Sequence, residues 1–234
     1  MKKAISILIC LLFLLTILYP AGIIISSCMG YVFELISVSA FAIALAALSV
    51  CTIVIDIFLK FPTKNKVVSI LLAVLPPLSL INAMFYIVKS PKILVIASII
   101  ISIGCCFYLT IKHVKPSTLK IISLVMSALM VIPIIFLSFI ALIFGNFGQN
   151  TVLKTVESPN GHYYAQVIDS DQGAHGGNTF VDVLKESGIN TVFFKIQKKP
   201  QRIYSGNWGE FENMKIYWKD DNSLIINGIE YEIK

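Results

Sequence analysis

The chain has 234 residues, 56% of them hydrophobic and only 14% charged, with a mean hydropathy of +0.82, which excludes a single soluble globular domain. Residues 1–150 hold ten lysines against two acids (Glu34 and Asp56), a net of +8. Residues 151–234 hold nine Lys/Arg against eleven Asp/Glu, a net of −2. The overall +6 therefore flanks apolar runs, and Arg202 is the only arginine, so a nucleic-acid partner is excluded as its cause.

All five cysteines (Cys10, Cys28, Cys51, Cys105, Cys106) lie in apolar runs and none follows residue 150. With no CxxC or Cys/His spacing, a structural zinc site is not expected, and the C-terminal part must fold without a disulfide.

Met1-Lys2-Lys3 precedes thirty uncharged residues, Ala4 to Phe33. Ile25-Ser26-Ser27-Cys28 is similar to a lipobox, in which Cys28 would carry lipid after cleavage. The run from Ala4 to Ser27 is long for a signal h-region and long enough to cross a bilayer, so an uncleaved span is the preferred reading. Four more spans follow, giving five in all over residues 1–149: about 4–27, 32–59, 67–88, 93–111 and 121–144. The last lies in an uncharged run of 33 residues, Ile121 to Leu153. At 1.5 Å per residue such a run exceeds the roughly 30 Å hydrocarbon thickness.

Span two is rich in small residues, and Ala40/Ala44 and Ala42/Ala46 are spaced for close helix approach. Pro76-Pro77 sits in the middle of span three and removes backbone hydrogen bonds there. A broken helix of this kind supports a secondary reading, a transport or channel component. The two acids have local explanations. Asp56 stands four residues before Lys60, an ion-pair spacing, and Glu34 opens span two, where the helix dipole favours an anion. Asn82 is expected to bridge helices.

Lysine placement orients the chain. With the N-terminus in the cytoplasm, inside segments hold Lys2, Lys3, Lys60, Lys64, Lys66, Lys112, Lys115 and Lys120, and short outside segments hold only Lys89 and Lys92. Eight against two puts residues 150–234 outside after five crossings. Span four, the shortest, decides that parity.

After Asn150 the pattern changes to a period of two, as in Val192/Phe194/Ile196, Met214/Ile216/Trp218 and Ile229/Tyr231/Ile233, the signature of half-buried strands. Turn residues separate the runs: Ser158-Pro159-Asn160-Gly161, Ser187-Gly188-Ile189-Asn190, Asp220-Asp221-Asn222 and Asn227-Gly228, the last a type I′ hairpin pair. The expectation is a membrane α-helical bundle followed by a small all-β antiparallel domain of six or seven short strands, with no helix.

Ser158-Pro-Asn-Gly-His-Tyr-Tyr-Ala, Ile168-Asp-Ser-Asp-Gln-Gly-Ala-His-Gly-Gly-Asn, Tyr204-Ser-Gly-Asn-Trp-Gly-Glu-Phe and Ile216-Tyr-Trp-Lys-Asp-Asp-Asn-Ser-Leu-Ile-Ile-Asn-Gly together resemble an uncharacterised family of small membrane proteins, a domain of unknown function found mainly in Gram-positive bacteria. The resemblance covers roughly residues 150–234 and implies a membrane-anchored domain without an assigned activity. The opening and closing motifs also resemble one blade of a β-propeller, but eighty-odd residues are too few for a closed one.

The candidate binding loop comprises Asp169, Asp171, His175, Asn178, Trp208 and Glu210. Asp169 and Asp171 followed by Gly173 are similar to the start of a calcium loop, and His175 would add a transition-metal ligand. The third oxygen ligand and the later bidentate acid are missing in register, so a glycine-rich connection between strands is preferred. Trp208 either presents its ring to a partner or a sugar, or packs under the sheet. Asp220-Asp221 reads as a turn. No P-loop, dinucleotide, zincin or nucleophile-elbow pattern occurs, so neither a cofactor nor catalysis is expected. The reading favoured is non-enzymatic binding or sensing at the envelope, with the lipid bilayer and an envelope or protein ligand as partners. A metal-dependent hydrolase built on Asp169, Asp171 and His175 ranks third.

Overall fold

A computed structural model describes residues 2–59, 65–89, 92–115, 117–144, 149–173 and 176–233. Lys60, Lys64 and His175 lie outside these described residues. Five apolar helices come first: α1 (Lys2–Cys28), α2 (Val38–Leu59), α3 (Lys66–Lys89), α4 (Ile93–His113) and α5 (Ser117–Phe144). Each is long and apolar enough to cross a membrane. A region of antiparallel sheets follows. The chain divides into two compact units. One comprises Met1–Ile25, Leu35–Ile143 and Val192–Phe194; the other comprises Ser26–Glu34, Phe144–Thr191 and Lys195–Lys234.

In the helical unit, Ile5, Ile9 and Leu12 of α1, Leu45 of α2, Val68, Leu72 and Leu75 of α3, and Cys106 and Leu109 of α4 form one buried cluster. Lipid is as apolar as these side chains, so close packing and interhelical hydrogen bonds hold the helices together rather than the hydrophobic effect. Ala42 and Ala46 are buried, and Ser49 on the same helix meets Ser102 of α4 at 3.2 Å. The other expected pair, Ala40/Ala44, is less enclosed. In α3, 61% of the spanning stretch is buried against 11% in α5, so α3 is central and α5 is mostly exposed.

The prolines show why the interior is arranged in this way. Pro20 lacks the N–H that would bond the Thr16 carbonyl, and Asn82 of α3 donates its amide to that carbonyl instead. Pro76 likewise frees the Leu72 carbonyl, which accepts the Thr110 hydroxyl of α4 at 2.5 Å. A backbone acceptor left open in hydrocarbon is costly, and at Pro20 and Pro76 a neighbouring helix fills the acceptor that the proline creates. α3 runs through both prolines as one helix, and Asn82 bridges α3 to α1 as expected.

Span two differs from expectation at its start. Residues 31–35 form strand β1 (Tyr31–Leu35), and α2 begins only at Val38. Tyr31, Phe33 and Leu35 alternate with Val32 and Glu34, but five residues of alternation inside a long hydrophobic stretch cannot be separated from a helix by composition. Glu34 is therefore not at a helix start; it pairs with Lys195 at 3.2 Å. Ser37 caps α2 instead, accepting the Ala40 N–H at 3.2 Å. Asp56 meets Lys112 at 2.8 Å and His113 at 2.9 Å.

The β unit contains β2 (Gln149–Glu157), β3 (Tyr163–Asp171), β4 (Gly177–Lys185), β5 (Gly188–Asn190), β6 (Phe194–Lys198), β7 (Gln201–Asn207), β8 (Ile216–Trp218), β9 (Ser223–Ile226) and β10 (Ile229–Glu232). That is more strands than the alternation suggests, and a short 3-10 turn at Glu210–Asn213 is additional. The orders are β2-β3-β4-β7, β10-β9-β8 and β1-β6-β5. Ala165, Val167, Val181 and Val183 from the first sheet, Ile216, Leu224 and Ile226 from the second, and Met214 just before β8 share one core. Trp218 ties the two together, donating its indole N–H to the Val156 carbonyl at 3.0 Å. Asn227 and Gly228 have φ of 50° and 85°, the left-handed pair that a type I′ turn requires; Ile226 and Ile229 face each other across it.

Candidate functional site

Asp169 and Asp171 end β3, Gly177 and Asn178 begin β4, and Asn207 ends β7, with Asp171 opposite Gly177 and Asn178 opposite Asn207. Three strand ends thus converge on one edge of the four-stranded sheet. Register alone brings the candidate residues together, since aligned antiparallel strands carry their terminal residues side by side.

Trp208 follows β7 and remains 55% exposed. Its indole N–H donates to Asp169 Oδ1 at 3.2 Å. A Cβ at Gly177 would stand 2.5 Å from Trp208 Cδ1 and 2.5 Å from the Ser170 carbonyl oxygen. The ring therefore lies across a position that only glycine can occupy. Trp208 does not pack under the sheet: one edge is fixed and part of the ring is exposed.

Glu210 forms a second cluster beside it. The Tyr204 hydroxyl donates to Oε2 at 2.5 Å and the Asn207 amide to Oε1 at 2.9 Å. A Cβ at Gly206 would collide with Glu210 Oε2 and the Tyr204 ring, so a second glycine admits this pair. The Tyr204 hydroxyl, then the Asn207 groups, hold the Glu210 carboxyl below its ordinary value of 4.5, because donors favour the charged form. A lowered folded-state pKa contributes stability above the ordinary carboxylate range and loses it as pH falls through the lowered value. In the Tyr204→Phe variant the Glu210 titration, followed by carboxyl NMR, moves upward toward 4.5. An unchanged midpoint would show that the hydroxyl does not act on this carboxylate.

Asp171 has a local role. Its Oδ1 accepts the Gly173 N–H at 2.7 Å, the Asx turn preferred for the glycine-rich connection. Asp220 does the same at its turn, accepting the Asn222 N–H at 2.9 Å, and that backbone donor is the main cause lowering its pKa. No group of three His, Cys, Asp or Glu capable of holding a metal occurs among the described residues. Two parts of the site were not singled out from sequence, Tyr204 and Gly206. A glycine inside a strand marks a close approach, and that was the available signal.

The arrangement offers a partly open aromatic face, a carboxylate at its edge and an amide–carboxylate–phenol group alongside. It suits hydrogen-bonded recognition of a polar surface. A search of the curated proteins and of the solved structures finds no match to the chain. A family model described as Family of unknown function (DUF5412) matches residues 113–234, taking in α5 together with every strand from β2 to β10. The matched stretch is more than half of the chain, which therefore belongs to that family of unknown function, as a protein with five helices able to span a membrane and a sheet-rich C-terminal region.

Proposed function

We propose that the chain is a membrane-anchored binding protein that holds its β unit outside the cytoplasm. There Trp208, Asp169, Asn178, Asn207 and Glu210 take a hydroxyl-rich envelope ligand. The observation that carries this reading is the exposure of Trp208 together with its fixation by Asp169 and Gly177. An exposed aromatic ring held in one orientation loses little entropy on binding, and a pyranose-like ring can lie on it while its hydroxyls reach the flanking acids and amides.

Two features support the orientation. Lysines favour one side of the spans eight to two. β1 belongs to the connection between α1 and α2 and pairs beside β6, which favours one side for that connection and the C-terminal region. That parity fits four further crossings after α1, with α4 among them.

The test uses the full chain in detergent micelles and soluble polysaccharide fragments of the envelope, with binding heat in a calorimetric titration as the signal. Binding gives a saturating isotherm, and Trp208→Ala lowers affinity at least about tenfold, as for a central aromatic contact. Its melting temperature stays close to that of the parent, because the ring is not part of the core. Equal affinity in the variant, or no response of the parent to any fragment, refutes the reading.

A further inference from the structure

Charge at the Trp208 end of the four-stranded sheet is one-sided. Asp169 lies opposite Thr179 and Thr179 opposite Gly206, while Asp171 lies opposite Gly177. A period of two puts Asp169 and Asp171 on one face of β3. On that same face a Cβ at Gly177 would meet Trp208, and a Cβ at Gly206 would meet Glu210. Neighbouring strands are about 4.8 Å apart, so Asp169 and Gly206 stand about 10 Å apart across β4. Three carboxylates thus gather beside one exposed indole.

Elsewhere in the β unit acids are matched, Asp182 with Arg202 and Glu230 with Lys219. Among the described residues no Lys, Arg or His stands within ion-pair distance of Asp169, Asp171 or Glu210, and Lys154 on the adjoining β2 is no exception. Their hydrogen-bond partners are neutral: the Trp208 indole N–H to Asp169, the Gly173 N–H to Asp171, and the Tyr204 hydroxyl and Asn207 amide to Glu210. Such donors favour the charged carboxylate without cancelling its charge. Negative charge therefore stands uncompensated around the ring.

The indole adds to it. An aromatic face is the negative side of the ring quadrupole, and donation of the N–H to Asp169 pushes further electron density into the π system. With that N–H taken, the exposed part of Trp208 offers a π surface and no donor. Neutral hydroxyls gain only ordinary hydrogen bonds from this arrangement. A cation gains from the ring face and the carboxylates together.

We infer that the hydroxyl-rich ligand of this site carries a free primary amine, whose ammonium group lies at the Trp208 face against Asp169 and Asp171 while Glu210 accepts from the neighbouring hydroxyls. The ligand class is an amino sugar with an unacylated nitrogen. This inference rests on Trp208 being a carbohydrate contact and adds the charge of the carbohydrate. N-acylation removes the positive charge and so removes the advantage.

The full chain in detergent micelles is titrated calorimetrically with a glucosamine tetrasaccharide and, separately, with its fully N-acetylated counterpart. A pH of about 5.5 keeps both the amine and the carboxylates charged. The expected result is at least about tenfold tighter binding of the free-amine form, falling to less than twofold in D169N/D171N and in 0.5 M NaCl, which screens the attraction. Asparagine keeps an acceptor oxygen for the Trp208 and Gly173 N–H groups, so the double variant retains its fold. E210Q, which weakens binding of the free-amine form in the same direction, serves as a second reading. Affinities within twofold of each other in the parent overturn the inference and leave the carbohydrate reading standing, whereas no binding of either form removes both. A tenfold preference that persists in D169N/D171N also overturns it, because the ammonium group would then be held elsewhere on the chain.

Discussion

In the Cys28→Ser background, a cysteine placed at Asn222 reacts with a membrane-impermeant maleimide on intact cells, and one placed at Lys115 reacts only after lysis. Both positions are exposed in their own units. Cys28 is removed because it too is exposed, at the end of α1, and none of the other cysteines follows Cys106. The contrast is expected to be nearly all-or-none, since the reagent either meets the thiol or is stopped by the bilayer. This outcome follows from the proposed orientation, which the lysine bias and the pairing of β1 beside β6 favour. Labelling of Lys115→Cys but not Asn222→Cys on intact cells would invert the orientation and end the proposal of an envelope ligand.

Replacing Asp56 by alanine destabilises the helical unit by about 3 kcal/mol, roughly 10 °C in melting temperature in micelles. The Asp56 side chain is 1% exposed, with Lys112 at 2.8 Å and His113 at 2.9 Å. It joins α2 to α4 near the ends of both helices. Removing the carboxylate takes away the group that joins Lys112 and His113 of α4 to α2 and leaves Lys112 with the Tyr108 hydroxyl at 3.0 Å, and unpairing a buried ion pair costs about 3–5 kcal/mol. The lower end applies because Lys112 is 38% exposed and can turn toward water. Asp56→Asn, which keeps an acceptor oxygen, loses less. A melting temperature for Asp56→Ala within 2 °C of the parent would show that packing alone joins these helices.

Much of the architecture was legible in local pattern. A helix able to cross lipid needs some twenty apolar residues, and a half-buried strand needs alternation, so Ala4–Ser27 and Met214–Trp218 each announce their structure within their own length. Asn227-Gly228 did the same for its hairpin, since two left-handed residues in succession have few other uses. The same local reading misassigned Glu34. Its five-residue strand exists because β6, about 160 residues later, offers it backbone partners, and no periodicity within residues 31–35 carries that information.

The candidate site divides along the same line. Composition alone marked Asp169, Asp171, Trp208 and Glu210, because glycine-flanked polar and aromatic residues stand out between strands. Asp171 closes its own turn, and that was readable from its neighbours. The contact between Trp208 and Asp169 spans 39 residues, and it required the register of β3, β4 and β7 to be known first. Tyr204 could be assigned to Glu210 only once the two faced each other across Gly206. In the bundle the prolines were visible, but not that Asn82 and Thr110 would fill the carbonyls they free. By itself, then, the amino-acid order determined which segments prefer lipid, which pair as strands and where the chain turns, because those preferences arise over one or two turns of backbone. Tertiary structure alone decided which polar groups meet, because a hydrogen bond between distant residues depends on how whole elements pack and not on what either residue's neighbours are.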